Sequence, residues 1–373
     1  MLDGGIPLGS ILGIKIRLHY SWFIVFGLIT WALAASYFPA EYPRWGQVTY
    51  WGIGLATSLL FFLSVLVHEL AHSVIAQRAG IPIKSITLFI FGGVSQMTRE
   101  PEQPGLEFRM ALAGPLTSLV IGGVFWGIWA AAEGSSAPLA GLAFWLGWIN
   151  LVLAGFNLIP GFPLDGGRVL RSILWWRGGN LRSATRTASN VGRAVGYLFI
   201  FGGIWWLFAG YWINGLWLAF IGWFLENAAS GSYRQVAARD ILRGHRASEA
   251  MTRDCPTVAP DMSVQQLVND YILSSGRRCF AVSKGADSVG LVTMHDIRKV
   301  PQDKWSSRSV GEAMTPLDRL KWVRPTDDLY EVFNILTTED INQLPVMEDG
   351  SLVGMIGRDN ILSFIRVRGE LGM

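Results

Sequence analysis

The chain has 373 residues, a formal net charge of +3 and a mean hydropathy of +0.34. Residues 1–230 hold 13 Lys or Arg and 9 Asp or Glu, whereas residues 231–373 hold 18 and 19. A water-soluble domain cannot cover its surface with 22 charges in 230 residues, but a domain embedded in lipid need not do so. This composition excludes a wholly soluble protein, and the small, unpatterned net charge gives no reason to expect a nucleic-acid partner.

Apolar runs long enough for helical spans occupy residues 18–38, 48–76, 110–132 and 140–160. A fifth apolar region, residues 194–228, contains Asn214 and Gly215. As one helix it would measure about 52 Å, too long for a hydrocarbon core of about 30 Å. We therefore predict two short antiparallel spans there, and about six spans in a polytopic α-helical membrane protein.

The distribution of basic residues predicts the orientation of these spans. With the N-terminus inside, twelve basic residues fall in cytosolic segments and one, Arg44, falls outside. Cytosolic segments carry an excess of Lys and Arg in membrane proteins. We therefore predict that both termini, and the soluble part that follows residue 230, are cytosolic. The twelve are Lys15, Arg17, Arg78, Lys84, Arg99, Arg109, Arg168, Arg171, Arg177, Arg182, Arg186 and Arg193.

Residues 82–97 do not fit a membrane span. They are rich in β-branched and aromatic residues, contain Lys84 and include the pair Gly92-Gly93. This pattern is typical of a strand or hairpin. Irregular or extended backbone at membrane depth is tolerated where it lines a cavity, and a free strand edge there can bind an extended peptide. An interfacial loop is the alternative.

Residues 68–72, inside the second predicted span, read His-Glu-Leu-Ala-His. On a helix, His68 and His72 project from one face, so both imidazoles can bind one metal ion. Zinc suits two neutral imidazoles and an oxygen ligand, with a fourth position open to water. Glu69 lies beside that position, where its carboxylate can take a proton from water. The alternative is hydrogen bonding between helices, but packing does not require this spacing.

Asp165 is the acidic residue of the membrane part that lies in an unusual context. Pro160 and Pro163 interrupt the fourth span before it, and Gly166 and Gly167 follow it. Unwound backbone just past a span suits a carboxylate that points into a cavity. An ordinary cytosolic turn with Asp before Gly fits this spacing equally well. The residues alone leave both interpretations open.

The two motifs together resemble the site-2 protease family of intramembrane metalloproteases. The resemblance rests on His-Glu-Leu-Ala-His in one span and on Asn157 with Leu164-Asp165-Gly166 at the end of a later one. It extends to residues 111–118, which read Ala-Leu-Ala-Gly-Pro-Leu-Thr-Ser, and to the Phe91-Gly92-Gly93 turn. It covers most of residues 10–230.

The resemblance implies a function and a set of roles. His68, His72 and Asp165 would hold one zinc ion, with Glu69 as the general base and Asn157 in a polar role near the substrate. The enzyme would be a zinc metalloendopeptidase that cuts membrane protein substrates within or near their transmembrane segments, in regulated intramembrane proteolysis. Membrane lipid surrounds the catalytic domain on this interpretation.

The soluble part contains an internal repeat. Glu-Ala-Met-Thr occurs at residues 249–252 and again at 312–315, and an apolar Val-Gly segment recurs with an offset of 64 residues. Each copy fits an order of strand, helix, strand, strand and helix. This pattern resembles a tandem pair of cystathionine-β-synthase (CBS) domains, small α/β modules that pair and often bind adenine nucleotides. The predicted boundaries are 1–230 for the protease domain, 231–246 for a linker, and 247–302 and 309–368 for the repeats.

The CBS resemblance implies a ribose-contacting run, Gly-x-x-Thr/Ser-x-x-Asp. The first repeat keeps it, with Thr293 and Asp296 as the candidate nucleotide-binding residues, whereas the second has Gly357 and Asn360 at those positions. At most one such site is therefore expected. The alternative is a structural role or a role in forming a homodimer.

A channel or ion transporter is the rival interpretation, because CBS pairs are also attached to such proteins. A channel has no need for a His-Glu-x-x-His motif paired with a distant Leu-Asp-Gly. The sequence therefore favours the metalloprotease.

Overall fold

The computed structural model describes residues 5–90, 92–253, 256–277, 279–285, 287–339 and 341–370. Phe91, part of the predicted Gly-Gly turn, lies outside these residues. The chain divides into two compact units, of which the first ends at Val236 and the second begins at Ala237.

The first unit is mostly helical. Within the described residues, five helical segments are long and apolar enough to cross a membrane, and the helix at residues 212–242 is not among them. The polytopic class agrees with the prediction of about six spans, although the segments that qualify are one fewer. The first of them combines α1 and α2 through a π-helical turn, Leu33–Tyr37. The helices are α1 (Tyr20–Ala32), α2 (Phe38–Glu41), α3 (Gln47–Arg78), α4 (Pro104–Ala132), α5 (Ala137–Asn157), α6 (Asp165–Gly178), α7 (Leu181–Phe208) and α8 (Trp212–Leu242).

Helices α7 and α8 form the predicted antiparallel pair, but the chain turns earlier than the sequence suggested. The break between the helices lies at residues 209–211, and Gly215 lies inside α8. A side chain at Gly203 would come within 2.5 Å of the Gly215 carbonyl, and one at Gly196 within 2.8 Å of the Gly222 carbonyl. Gly215 therefore serves for close helix packing, whereas Gly210, with a φ of 90°, lies in the turn. Residues 231–242, which the sequence assigned to a linker, continue α8.

A four-stranded sheet accompanies the helices in the order β1-β2-β3-β4. Its outer pairs are antiparallel hairpins, and β2 and β3 run parallel. The hairpin β3–β4 confirms the prediction for residues 82–97. The hairpin β1–β2 was not predicted. The strands are β1 (Gly5–Ile11), β2 (Ile14–His19), β3 (Ile83–Phe89) and β4 (Gly92–Met97).

The sheet packs on the start of the helical unit. Ile14, Ile16 and Leu18 of β2 are buried in one cluster with residues of β3, α1 and α3. The hydroxyl of Ser21, at the start of α1, accepts a hydrogen bond of 3.2 Å from the backbone N–H of Ile90. Ile90, the residue that follows β3, is therefore held against α1.

The second unit contains the two predicted repeats, each with its own apolar core. The repeats exchange their leading segments: β8 pairs with β7 of the first repeat, and Thr252 pairs with Met355 of the second. The main elements of the first repeat are α9 (Ala247–Ala250), β5 (Thr257–Val258), α10 (Val264–Gln266), α11 (Leu273–Ser275), β6 (Cys279–Lys284), β7 (Asp287–Thr293) and α12 (Met294–Arg298). Those of the second are α13 (Val310–Ala313), β8 (Thr315–Pro316), α14 (Leu329–Thr338), β9 (Gln343–Glu348), β10 (Ser351–Gly357) and α15 (Arg358–Glu370).

Candidate metal centre

Three side chains from two helices meet inside the first unit. His68 and His72 lie one turn apart on α3, and both are buried. Asp165 is the first residue of α6. The Nε2 atoms of the two imidazoles are 3.2 Å apart, and each lies 3.2 Å from Oδ2 of Asp165. The three candidate ligand atoms thus form an equilateral triangle.

This triangle has the dimensions of one face of a zinc coordination tetrahedron. Zinc–nitrogen and zinc–oxygen distances of about 2.0–2.2 Å separate neighbouring ligand atoms by about 3.3–3.6 Å in tetrahedral geometry. Two imidazoles and one carboxylate are also a donor set that catalytic zinc sites use, with a fourth position left for water. The residues therefore fit a catalytic zinc ion in number, type and spacing.

Helix α4 orients both imidazoles. Nδ1 of His72 donates to the backbone carbonyl of Met110 at 2.6 Å, and Nδ1 of His68 lies 2.9 Å from Oγ of Ser118. A partner on Nδ1 directs Nε2 towards the metal position and fixes the ring, as is usual for metal-binding histidines. Sequence reasoning assigned no role to either partner. Both lie in or next to residues 111–118, the stretch that contributed to the family resemblance.

Gly114 of α4 lets that helix approach the metal position. A Cβ atom at this residue would overlap Nε2 of His72 and stand 2.5 Å from Nε2 of His68. The absence of a side chain therefore leaves the space in which an ion would contact the imidazoles. Gly114 lies within residues 111–118, which contribute to the family resemblance. Its function depends on a contact between helices, which the local sequence does not indicate.

A non-helical segment, residues 158–164, delivers Asp165 to the site. Two glycines follow the aspartate at the start of α6. A Cβ at Gly166 would overlap the Leu158 carbonyl, and one at Gly167 would overlap the backbone at Gly161 and Phe162. The glycines thus allow α6 to begin directly against the preceding turn, which agrees with the interpretation of Asp165 as a residue held in a cavity.

A buried ion pair joins α6 to α4. The Glu107 side chain is about 1 % exposed, and it accepts a hydrogen bond of 2.8 Å from Nε of Arg171 and a second one from Nη2. The Arg171 guanidinium also lies over the Phe162 ring at 5.0 Å. The pair fixes the helix that carries Asp165 against the helix that orients the imidazoles. The sequence predicted an ordinary cytosolic charge for Arg171, because burial cannot be deduced from charge alone.

A cavity of about 560 Å³ opens beside the metal position. Glu69 and Asn157 both line it, together with the candidate ligands, strand β4 and aromatic residues of α8. A Cβ at Gly93 would overlap Cγ of Glu69, so the strand passes directly over that carboxylate. One amide N–H of Asn157 donates to the carbonyl of Leu153 at 3.0 Å. The structure thus brings five predicted site residues to one cavity.

The candidate nucleotide residues of the second unit contact each other. Both the hydroxyl of Thr293, at 2.6 Å, and its backbone N–H, at 3.0 Å, donate to Oδ2 of Asp296. This is a capping box at the start of α12. In the second repeat, Oδ1 of Asn360 accepts from the backbone N–H of Gly357 at 2.9 Å. The Asp296 carboxylate therefore already has a structural function.

The sequence matches two known families. The sequence model of peptidase family M50 matches residues 56–140 and 130–203, and that of the CBS domain matches residues 247–303 and 310–367. Rip3 of Mycobacterium tuberculosis is 34% identical over 97% of this chain and 93% of its own length. A zinc metalloprotease of Methanocaldococcus jannaschii is 30% identical over 99% of both chains. The solved site-2 protease of the same organism is 29% identical, covers 62% of this chain and 95% of that chain, and has a TM-score of 0.43.

The chain combines helices long and apolar enough to span a membrane with a buried site at which a His-Glu-x-x-His helix meets a distant aspartate. These features define a membrane metalloprotease of the site-2 type, here followed by a tandem CBS pair. Full-length similarity to zinc metalloproteases supports the same class and sets aside the channel interpretation. The chain belongs to peptidase family M50.

Replacement of Gly114 tests the geometry of the centre. We expect Gly114→Ala to lower the zinc content of purified protein at least about tenfold, because the added methyl group overlaps the imidazoles and displaces their Nε2 atoms. Gly123→Ala, on the same helix with no atom within 4 Å of the added carbon, is the matched control and should keep its zinc. Elemental analysis measures both. Full zinc loading of a folded Gly114→Ala protein would contradict the proposed ligand geometry.

Proposed function

We propose that this protein is an intramembrane zinc endopeptidase that hydrolyses peptide bonds within or near the transmembrane segments of membrane proteins. The observation that carries the proposal is the triangle of His68, His72 and Asp165, 3.2 Å on each side, in a cavity shared with Glu69. The site lies among helices long and apolar enough to span a bilayer. A substrate that reaches it must therefore be a membrane segment or the chain next to one.

The chemistry assigned to each residue follows from its place in the cavity. His68, His72 and Asp165 would hold a zinc ion, which would supply Lewis-acid chemistry by polarising the scissile carbonyl and lowering the pKa of bound water. Glu69 accepts the proton of the attacking water and donates it to the leaving nitrogen. Asn157 lines the same cavity and is assigned a polar contact with the substrate backbone.

The edge of β4 provides a binding site for an unwound substrate. Helical segments hide their carbonyls in internal hydrogen bonds, so a substrate helix must open before it is cut. In the described part of the sheet, β4 pairs with β3 on one side, and Gly92–Ser95 line the cavity on the way to Glu69. An extended substrate can add to this edge through backbone hydrogen bonds, which are independent of side chains.

The proposed topology has the termini and the CBS pair in the cytosol. It is supported by the twelve basic residues assigned to cytosolic segments, against one outside. His68 lies ten residues before Arg78, the last residue of α3, which corresponds to about 15 Å along the helix. Water would therefore reach the site from the cytosolic side.

For the CBS pair we propose a regulatory role through an adenine nucleotide bound at the first repeat, near Thr293 and Asp296. The first repeat keeps both side chains of the ribose-contacting run, and the second does not. The hydrogen bonds within the Thr293–Asp296 pair support the alternative, in which these residues only cap α12 and the repeats serve to form a homodimer.

Two substitutions separate metal binding from proton transfer. We expect Glu69→Gln to keep its zinc and to lose cleavage of a single-span test substrate, because the amide cannot accept a proton. Asp165→Ala should lose zinc as well as activity, because it removes a ligand. Glu133→Gln, at an exposed position after α4, is the control and should cleave normally. Normal cleavage by Glu69→Gln, or wild-type protein without stoichiometric zinc, would contradict the proposed function.

Calorimetry with ATP and with AMP on the purified full-length protein tests the CBS proposal. We expect one nucleotide per chain, and no binding to Thr293→Ala, because the second repeat lacks the hydroxyl and the carboxylate. Thr337→Ala, an exposed threonine of α14, is the control for the loss of a hydroxyl. If the folded protein binds neither nucleotide, the proposed nucleotide site is wrong, and the structural or dimerising role is the one that remains.

A further inference from the structure

Arg168 is a charged residue of the cavity to which the proposed mechanism gives no role. Of the described residues that line the cavity, it is the one basic side chain besides the two imidazoles. It follows Asp165 by three residues on α6, and such residues lie on the same face of a helix with Cβ atoms about 5–6 Å apart. Arg168 therefore lies beside the candidate ligand and on the same face of the helix.

The guanidinium of Arg168 has an ion-pair contact with Glu107 but donates no hydrogen bond within the described residues. The distance from Nε of Arg168 to Oε1 of Glu107 is 3.8 Å, which is short enough for an ion pair and too long for a hydrogen bond. That same oxygen accepts hydrogen bonds from Nε and Nη2 of Arg171. Across the described part of the chain, no side chain or carbonyl accepts a hydrogen bond from Arg168. Its N–H donors are thus available to a ligand in the cavity.

A purely structural role explains this arrangement poorly. Arg171 already neutralises Glu107, so a second cation is not required to stabilise the buried carboxylate. The Arg168 side chain is 19% exposed and faces a cavity whose walls are otherwise largely apolar. A charged group held in a largely apolar cavity loses part of its hydration, which costs free energy unless a negative charge compensates for it. Such a group is expected where it meets a negative charge during the reaction.

We propose that Arg168 is a catalytic residue that donates hydrogen bonds to the scissile carbonyl oxygen as negative charge develops on it. This inference rests on the proposed protease function. Attack of water on the carbonyl carbon moves the π-electron pair onto that oxygen, and the charge returns to the carbonyl when the bond to the leaving nitrogen breaks. A guanidinium fixed beside the site stabilises this charge without accepting or losing a proton. Glu107 is the positioning residue, because its carboxylate holds the neighbouring Arg171 and attracts Arg168.

Kinetics of Arg168→Gln test the role. We expect kcat for a single-span substrate to fall about 10²–10³-fold with KM nearly unchanged, since the lost hydrogen bond forms in the transition state. Zinc content and the thermal unfolding midpoint should equal those of the wild type, because Glu107 keeps Arg171. Arg168→Lys should recover part of the lost kcat, since it restores the positive charge. Arg177→Gln, an exposed position on the same helix, is the matched control and should keep wild-type kcat.

The outcomes separate this inference from the proposed function. If wild-type protein cleaves and Arg168→Gln cleaves with the same kcat, the role of Arg168 is refuted while the protease assignment stands. Loss of zinc or of thermal stability in Arg168→Gln, without rescue by Arg168→Lys, would make the residue structural. A higher KM with unchanged kcat would assign it to substrate binding in the ground state. A wild-type protein that binds zinc and cleaves no membrane substrate would instead overturn the proposed function.

Discussion

Ionisable side chains buried inside an apolar helical unit cost free energy unless their polar atoms have partners, because hydrogen-bonding water is scarce there. His68 and His72 meet this requirement through Ser118 and the Met110 carbonyl on one side, and through Asp165 on the other. Each partner comes from a different stretch of chain than the histidines. The hydrogen bonds of two imidazoles on α3 therefore link this helix to both α4 and α6.

The same requirement explains the glycines and the ion pair around the site. Gly114 removes the side chain that would fill the space between the imidazoles and α4. Gly166 and Gly167 allow α6 to start against the preceding turn. The Glu107–Arg171 pair then joins α6 to α4 in the buried interior. Breaking such a pair by removing one partner leaves an uncompensated charge, which is strongly destabilising, so it fixes one arrangement of the two helices. Rigidity of this kind is what a metal site with three protein ligands requires.

Local patterns predicted the helices and hairpin that carry the site, and the family motif predicted its residues. The β3–β4 hairpin was visible in its β-branched and aromatic residues. The β1–β2 hairpin was missed although Ile14, Ile16 and Leu18 alternate with Lys15 and Arg17, because the two charges were interpreted only as a sign of orientation. Other features of the site could not be predicted, since each depends on contacts between segments far apart in sequence. These features are the positions of Gly114, Glu107, Arg168 and α8 around the cavity. The position of the turn before α8 was missed because Gly215 serves in helix packing.

The central claim is that one zinc ion is held by two imidazoles and one carboxylate at the point where α3 meets α6. X-ray absorption at the zinc edge, on purified full-length protein, tests it directly. The account predicts one zinc per chain with nitrogen and oxygen ligands alone at about 2.0–2.2 Å, including the multiple-scattering signal of two imidazoles. A sulfur ligand at about 2.3 Å, or a spectrum without imidazole, would contradict it, because His68, His72 and Asp165 would then not be the ligands.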